Sequence, residues 1–425
     1  MIPSAPAART AGVAARDDRL GCLLVGVGPA GRPYDESNLD ELAALAESAG
    51  FRVDGRHALR RAKPDAALFI GRGAADRIQE TLRADAVDVV VFDNALGAVQ
   101  QRNLGEQWQL PVLDRTELIL EIFSRRAQSR EGKLQVELAR LEHLSARLVR
   151  GWTHLERQRG GIGARGGPGE KQVELDRRML RARVKRLRAD LEQVRRQRAN
   201  RRRARERSGV FRVSLVGYTN AGKSTLFNRL SGAASLSADQ LFATLDTLTR
   251  RVMVAPGVQV MLSDTVGFVR DLPHALVDAF KATLEETAQA DLLLHVIDAS
   301  APDRAEQIHQ VQQVLREIGA DGIPIIEVLN KTDRLPADHL PATRMAAPEQ
   351  ADELAPCDSI AQVPVSALTG AGIDVLRRAI ARQAAAPTFA GAGHAGHDGV
   401  SPPSDASNAD DRHAGRGDDD WCDGR

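Results

Sequence analysis

Cysteine is scarce in this chain. Cys22, Cys357 and Cys422 are the three in 425 residues, and they lie far apart. They match no metal-ligand spacing, and a reduced, cytoplasmic setting is expected. Long hydrophobic runs are also lacking. The longest, around Leu292 to Ile297, falls well short of a membrane span and reads as a core strand. The first twenty residues are rich in Ala and Arg but have no apolar block of the kind a signal peptide needs. They read as a flexible tail, with a wrongly assigned start site as the alternative. One-sided charge is lacking overall, the net being +1, yet this small sum hides strong local asymmetry. The length suits two or three domains, each able to bury a core.

The most informative stretch is Phe211 to Thr225, FRVSLVGYTNAGKST. A β-branched apolar run stops at Gly217, and G-x-x-x-x-G-K-S follows, opening a segment that reads as helix. Strand, glycine loop and helix in that order are the context of a P-loop. Glycines let the backbone curl so that successive N–H groups face one point, and the helix start adds a field that favours an anion. Gly217, Asn220, Ala221, Gly222 and Thr225 are expected around the phosphates. Lys223 would reach the β- and γ-phosphates, and Ser224 would ligate Mg²⁺.

Upstream, residues 21–115 alternate short apolar runs with helical periods and read as a small α/β domain. Strands are expected at Leu23–Val27, Ala67–Ile70, Val87–Phe92 and Val112–Leu113. A helix carries Leu39, Leu42, Leu45 and Ala46 on one face and ends at Gly50, and another begins near Ala74. The FIGRG turn could touch a phosphate through Gly71 and Gly73, although a plain strand-to-helix turn explains it better.

From about Thr116 the pattern changes. Leu134, Leu138, Leu141, Ser145, Leu148, Trp152 and Leu155 form a four-three series, as do Val173, Leu180, Val184, Leu187, Leu191 and Val194, with Arg177 in one slot. Two long antiparallel helices are expected over 116–207, joined by a loop at Gly160–Gly169, GGIGARGGPG. Residues 151–207 hold 19 Lys/Arg against 7 Asp/Glu. Charge of one sign this dense repels itself, and Arg beside exposed glycine backbone suits RNA phosphates and splayed bases.

Beyond the P-loop, the parts of a triphosphatase follow in order over 208–386. Gln240–Asp246, QLFATLD, is expected to be a mobile loop whose Thr244 closes on Mg²⁺ and the γ-phosphate; Thr247 and Thr249 lie near enough to compete for that role. The strand Val258–Leu262 leads to Asp264-Thr265-Val266-Gly267. Asp264 would hold Mg²⁺ through water, and the Gly267 N–H would meet the γ-phosphate. Asp291–Asp298 reads as a central strand with His295 as a core histidine. Strand Ile323–Leu329 runs into Asn330-Lys331-Thr332-Asp333. The Asp333 carboxylate can accept from guanine N1–H and its 2-amino group, which adenine does not offer, while Asn330 and Lys331 brace the loop and cover the base. Ser366 and Ala367 place backbone N–H groups toward guanine O6. Together these define a GTP site, with Lys223, Thr244 and Gly267 at the reacting phosphate.

The motifs GYTNAGKSTLFNRL, QLFATLD, DTVGFVRDLP, LLLHVIDAS and NKTD, with GGIGARGGPGEKQVELDRR upstream, resemble the HflX family of translation-associated GTPases. The likeness spans about Gly21 to Gln383. It implies an α/β fold in three parts: a small N-terminal α/β domain, a helical hairpin and a Ras-like GTPase domain with a mostly parallel sheet. It further implies nucleotide-dependent binding to the large ribosomal subunit, dissociation of stalled or idle ribosomes, and a glycine loop that probes RNA near the peptidyl-transferase centre.

Phe268 follows Gly267, where Ras-like enzymes commonly place a glutamine to orient water, so slow intrinsic hydrolysis is expected. Asn220 matches the position that holds K⁺ in some cation-activated relatives. Residues 387–425 carry eight Asp and few apolar groups and read as a disordered acidic tail. The expected partners are GTP or GDP and the large subunit with its RNA, for a monomer with no membrane span. A non-hydrolytic, GTP-gated RNA-binding switch or assembly factor is the principal alternative, and an RNA-remodelling ATPase a weaker one.

Overall fold

The computed structural model describes residues 19–29, 34–84, 87–158, 178–194, 196, 210–232, 241–242, 244–270, 287–345 and 359–386. The expected N-terminal tail, the Gly160–Gly169 loop and the acidic tail lie outside these residues.

The N-terminal part is a sheet of four parallel strands, β1 (Gly21–Pro29), β2 (Arg52–Arg61), β3 (Val89–Phe92) and β4 (Val112–Asp114), in the order β2-β1-β3-β4. Alternate residues of β1 serve opposite faces. Cys22 and Leu24 pack with α1 (Glu36–Ser48) and α4 (Arg115–Arg126). Leu23 and Val25 pack with α2 (Arg72–Ala84) and α3 (Ala98–Trp108). With helices on both faces, β1 and β3 are buried almost throughout, which is why they read as continuous apolar runs. Helix α1 starts where Asp35 accepts from Ser37 N at 3.0 Å, and Gly50 at φ +82° follows its end.

One expected strand is absent. Ala67–Ile70 forms a tight turn in which Asp65 Oδ1 accepts from Ala67 N and Leu68 N at 2.9 and 2.8 Å. The fourth strand is instead β2, an edge strand whose RVDGRHALRR alternates half-buried and exposed positions. It has no apolar run because it has one neighbour and little cover.

Helix α5 (Arg130–Gln158) follows α4 closely, and residues 178–194 form α6. Leu138, Leu187 and Leu191 bury one another between them, with Leu134, Leu141 and Val184 alongside. Arg183 and Arg188 pair with Glu137 and Glu142 at 2.6 and 2.7 Å on exposed surface. Exposed pairs of this kind contribute under about 1 kcal/mol each, so the leucine seam provides most of the attachment.

The second sheet has seven strands: β5 (Phe211–Val216), β6 (Leu248–Ala255), β7 (Val258–Asp264), β8 (Leu292–Asp298), β9 (Ile325–Asn330), β10 (Arg344–Met345) and β11 (Ser359–Pro364). Their order is β10-β11-β9-β8-β5-β7-β6, parallel except at the two edges, where β6 and β10 run antiparallel to their neighbours. Helices α7 (Lys223–Ser231) and α9 (Ile373–Ala385) cover one face, while α8 (Arg304–Glu317) covers the other through Val311 and Leu315. The carboxyl ends of β5, β7, β8 and β9 emerge together, the place where open α/β sheets bind ligands.

The segment 241–246 differs from expectation. It lacks periodicity, yet Leu241, Phe242 and Leu245 are buried in the core shared with α1 and α4. The Phe242 ring meets Phe123 edge-on at 4.7 Å. Three separately anchored side chains leave no period to read.

Candidate guanine-nucleotide site

The loop after β5 is shaped by close approach. Gly217 sits at φ +147°, and a Cβ there would come 2.2 Å from the Val296 carbonyl oxygen. Gly222 sits at φ +92°, and its Cβ would come 2.2 Å from Asn330 Nδ2. No other residue type fits either position without moving backbone or the guanine loop. Lys223 opens α7 and is buried, its Nζ donating to Gly217 O and Tyr218 O at 3.0 and 2.7 Å. Burial, partly offset by Asp264, brings its ammonium down to about 8.

Ser224, Thr244 and Asp264 converge. Ser224 Oγ and Thr244 Oγ1 lie 2.8 Å apart and donate to Asp264 Oδ2 at 2.7 and 2.8 Å. Asp264 is fully buried, and its Oδ1 has no hydrogen-bond partner among the described residues. Burial holds this carboxyl above the usual range, against the pull of Ser224, Lys223 and Thr244. A buried carboxylate with an unused oxygen beside two hydroxyls is a donor set that fits a hard divalent cation such as Mg²⁺. Thr247 and Thr249 stand apart from this cluster, Thr249 being paired with Ser263 at 3.1 Å in the sheet.

The base end is equally wired. Asn330 Nδ2 donates to Ala221 O at 2.8 Å, while its Oδ1 accepts from Ala367 N at 2.9 Å, so one side chain joins the phosphate loop to the loop after β11. Asp333 accepts from Ser366 Oγ at 2.5 Å. Lys331 takes a left-handed backbone at φ +63°, and its Nζ pairs with Asp298 Oδ2 at 2.7 Å. Burial would raise the Asp298 carboxyl, but hydrogen bonds from Lys331 and Ser300 outweigh it and hold it below the usual range.

These parts surround one cavity of about 260 Å³. Asn220, Gly222, Lys223, Ser224, Thr225, Thr244, Gly267, Asn330, Lys331, Asp333 and Ala367 line it. Gly217, Ala221, Asp264 and Ser366 stand behind the lining and hold it in place. Leu368, the next residue of the stretch expected at the base, also lines the cavity, as do Thr219, Phe242, Thr265 and Arg334, which were not anticipated. Thr219 was within reach, lying between the two diagnostic glycines; Phe242 arrives through tertiary packing alone. Phe268 is buried with Leu293, Val311 and Leu315, away from the cavity. His295 is likewise a core residue, brought down to about 4 by burial and then by the Lys223 ammonium.

The FIGRG turn precedes α2, with Gly71 at φ +78°, beside a second cavity lined by Arg60, Arg61, Arg72 and Arg77. Arg61 is engaged there, donating to Lys63 O and Ile70 O.

Strand order, phosphate loop and base loop define a P-loop GTPase of the guanine-nucleotide class. Three family models match in turn: a GTP-binding GTPase N-terminal region over residues 36–124, a GTP-binding GTPase middle region over 126–205, and a 50S ribosome-binding GTPase over 212–331. A GTPase HflX of Escherichia coli strain K12 is 51% identical over 346 residues, covering 81% of this chain and 79% of its own. One from Magnetococcus marinus is 48% identical over 348 residues, covering 81% and 78%. A GTP-binding protein of Sulfolobus solfataricus, solved with GDP, is 24% identical and covers 86% of this chain and 98% of its own, with a TM-score of 0.46. The chain belongs to the HflX family of GTPases and is a GTP-binding protein. Among the described residues, no helix is long and apolar enough to cross a membrane.

Proposed function

We infer that this protein is a cytoplasmic, monomeric GTPase that binds the large ribosomal subunit and dissociates stalled or idle ribosomes, hydrolysis driving its release. The observation that carries the GTPase reading is the single cavity joining the Ser224–Thr244–Asp264 cluster to the Asn330–Asp333 loop. The ribosomal partner draws support from the dense positive charge of residues 151–207 and from a matching family model described as a 50S ribosome-binding GTPase.

In this reading Lys223 orients the β- and γ-phosphates and the Gly267 N–H donates to the γ-phosphate. Ser224, Thr244 and Asp264 would together hold Mg²⁺. When bound, the ion neutralises charge on the β- and γ-phosphates. Asp333 selects guanine by accepting from its N1–H and 2-amino groups, and Ser366 holds that carboxylate; the Ala367 N–H, expected at O6, is instead given to Asn330 Oδ1 in the structure. GTP favours the arrangement of Thr244 and Gly267 seen here, and loss of the γ-phosphate releases it. Potassium is a second cation this reading allows, through Asn220 at φ +60° on the cavity wall; equal turnover in Na⁺ and K⁺ buffers would remove it.

With its ring buried, Phe268 offers no group to orient water, so turnover alone is slow and a partner completes the site. The test is GTP turnover with and without purified large subunits, for the wild type and Lys223→Ala. Strong stimulation, absent in the variant, supports the ribosome-activated enzyme and leads to a subunit-dissociation assay. Tight GTP binding without stimulation favours a GTP-gated RNA-binding switch, a reading that the same Phe268 geometry supports.

A further inference from the structure

Two residues beyond Thr244, the carboxylate of Asp246 is engaged by a different part of the chain. Its Oδ2 accepts from Gln128 N and Ser129 N at 3.0 and 2.8 Å, and its Oδ1 accepts from Ser129 Oγ at 2.5 Å. Ser129 is the start of α5: its Oγ accepts from Gly132 N at 2.9 Å and its carbonyl from Lys133 N at 3.1 Å. The fit is close, since a Cβ on Gly132 would come 2.5 Å from Asp246 Oδ1. Carboxylates favour helix starts because the first N–H groups lack partners within the helix.

Leu241, Phe242 and Leu245 of the same segment are fixed as well, buried against α1 and α4, and Leu241 N donates to Ser48 Oγ at 2.9 Å. Thr244 reaches Ser224 and Asp264, while Asp246 reaches α5, with only buried Leu245 between them. Leu245 has no room to absorb a shift of either neighbour, because close-packed interiors transmit displacement.

We propose that Asp246 is a positioning residue for GTP hydrolysis: by gripping Gln128 and Ser129, which cap the start of α5, it sets Thr244 on the cation-binding pair, and it makes the root of the helical hairpin respond to the nucleotide. The proposal rests on the reading of Thr244 as the residue that senses GTP. Coupling of this kind is reciprocal, so whatever steadies the start of α5 also favours Thr244 in its closed place. This gives a route from a hairpin held by RNA to the phosphate site without any group of the partner entering the cavity.

The test uses the full chain and two readouts besides turnover. In Mg²⁺ buffer, Asp246→Ala binds a non-hydrolysable GTP analogue about tenfold more weakly while its GDP affinity is retained, since GDP makes no use of Thr244. Retained GDP affinity also shows that the variant is folded. Ser129→Ala, outside the nucleotide cavity, reproduces a smaller GTP-specific loss, and the double variant is no weaker than Asp246→Ala. In hydrogen exchange, the amides of residues 130–136 exchange more slowly in the wild type with the GTP analogue than with GDP, and Asp246→Ala abolishes that difference. Equal losses for GTP analogue and GDP, or a helix start that ignores the nucleotide in the wild type, would overturn the proposal. Thr244→Ala, run alongside, separates two failures. A GTP-specific loss there without one at Asp246 overturns the proposal alone; no such loss at Thr244 overturns the reading of that residue and the proposal with it.

Discussion

Thr219 donates its backbone N–H to the carbonyl of Phe268 at 2.7 Å, tying the segment after Gly267 to the phosphate loop while the Phe268 ring turns into the core. The main chain of Phe268 thus braces the phosphate loop while its side chain fills the core. Phe268→Gln therefore does not restore a water-orienting group. The amide enters a site 3% exposed and lined by aliphatic side chains, where an unpaired polar group costs about 1–3 kcal/mol. The expected outcome is a lower urea midpoint and no increase in intrinsic GTP turnover. A severalfold faster turnover would show that the segment turns over when nucleotide binds.

Asp333 is held by Ser366 with a second carboxylate oxygen left for the base. Asp333→Asn turns an acceptor toward the guanine N1–H into a group that can present a donor there. Two hydrogen bonds to a charged acceptor are lost, each worth about 1.5–3 kcal/mol. GTP affinity is expected to fall by at least a hundredfold, with Ser366→Ala giving a loss of about tenfold or less because it only steadies the carboxylate. Isothermal titration with GDP checks both.

The contrast between these sites and the rest of the chain shows what a sequence makes legible. Gly217 and Gly222 were readable because backbone curvature at an anion site admits one residue type. Asn330 and Asp333 were readable because their chemistry is specific to guanine. The strand β2 was not, since an edge strand with Asp54, Arg56, Ala58 and Arg60 on its open side and only half-buried residues on the other carries no apolar signature. Asp298 and Asp246 escaped for another reason: each carboxylate acts on a residue distant in sequence, Lys331 in one case and Ser129 in the other, and only the fold brings the pair together. Leu241, Phe242 and Leu245 looked like part of a polar loop because each is buried individually, without the period of a helix or strand.

Asp40 and Glu41 adjoin in α1 yet differ in what their removal should cost. Asp40 is 71% exposed and pairs with Arg56, itself 45% exposed. Glu41 is 16% exposed, accepts from Arg115 at 2.5 Å and also from the Tyr218 hydroxyl of the phosphate loop, and Arg115 is 7% exposed. Asp40→Ala is expected within about 0.5 kcal/mol of the wild type. Glu41→Ala leaves a buried guanidinium with Asp93 alone and is expected to cost about 3 kcal/mol. Urea unfolding distinguishes the two. Tyr218 also accepts from Arg270 N at 2.7 Å, so Tyr218→Phe lies between them, at about 1–2 kcal/mol.

His295 makes stability depend on pH in a defined window. Buried in β8, it stays neutral down to about 4, whereas in the unfolded chain it takes up a proton near 6.5. Between these values the unfolded state binds more protons than the folded one, so stability rises with pH there. Its contribution is fully present above about pH 6.5 and is lost progressively as the pH falls toward 4. A difference of this size in proton affinity corresponds to about 3 kcal/mol across the window. His295→Gln carries its own packing cost at neutral pH, but it removes this dependence. The stability gap between wild type and variant is therefore expected to move by about 2 kcal/mol, most of that difference, in the variant's favour on going from pH 7 to pH 4.5, measured by urea unfolding of the nucleotide-free proteins. A gap that stays constant with pH would mean that His295 is protonated as readily in the folded chain as in the unfolded one, and that the centre of β8 admits a charge beside Lys223.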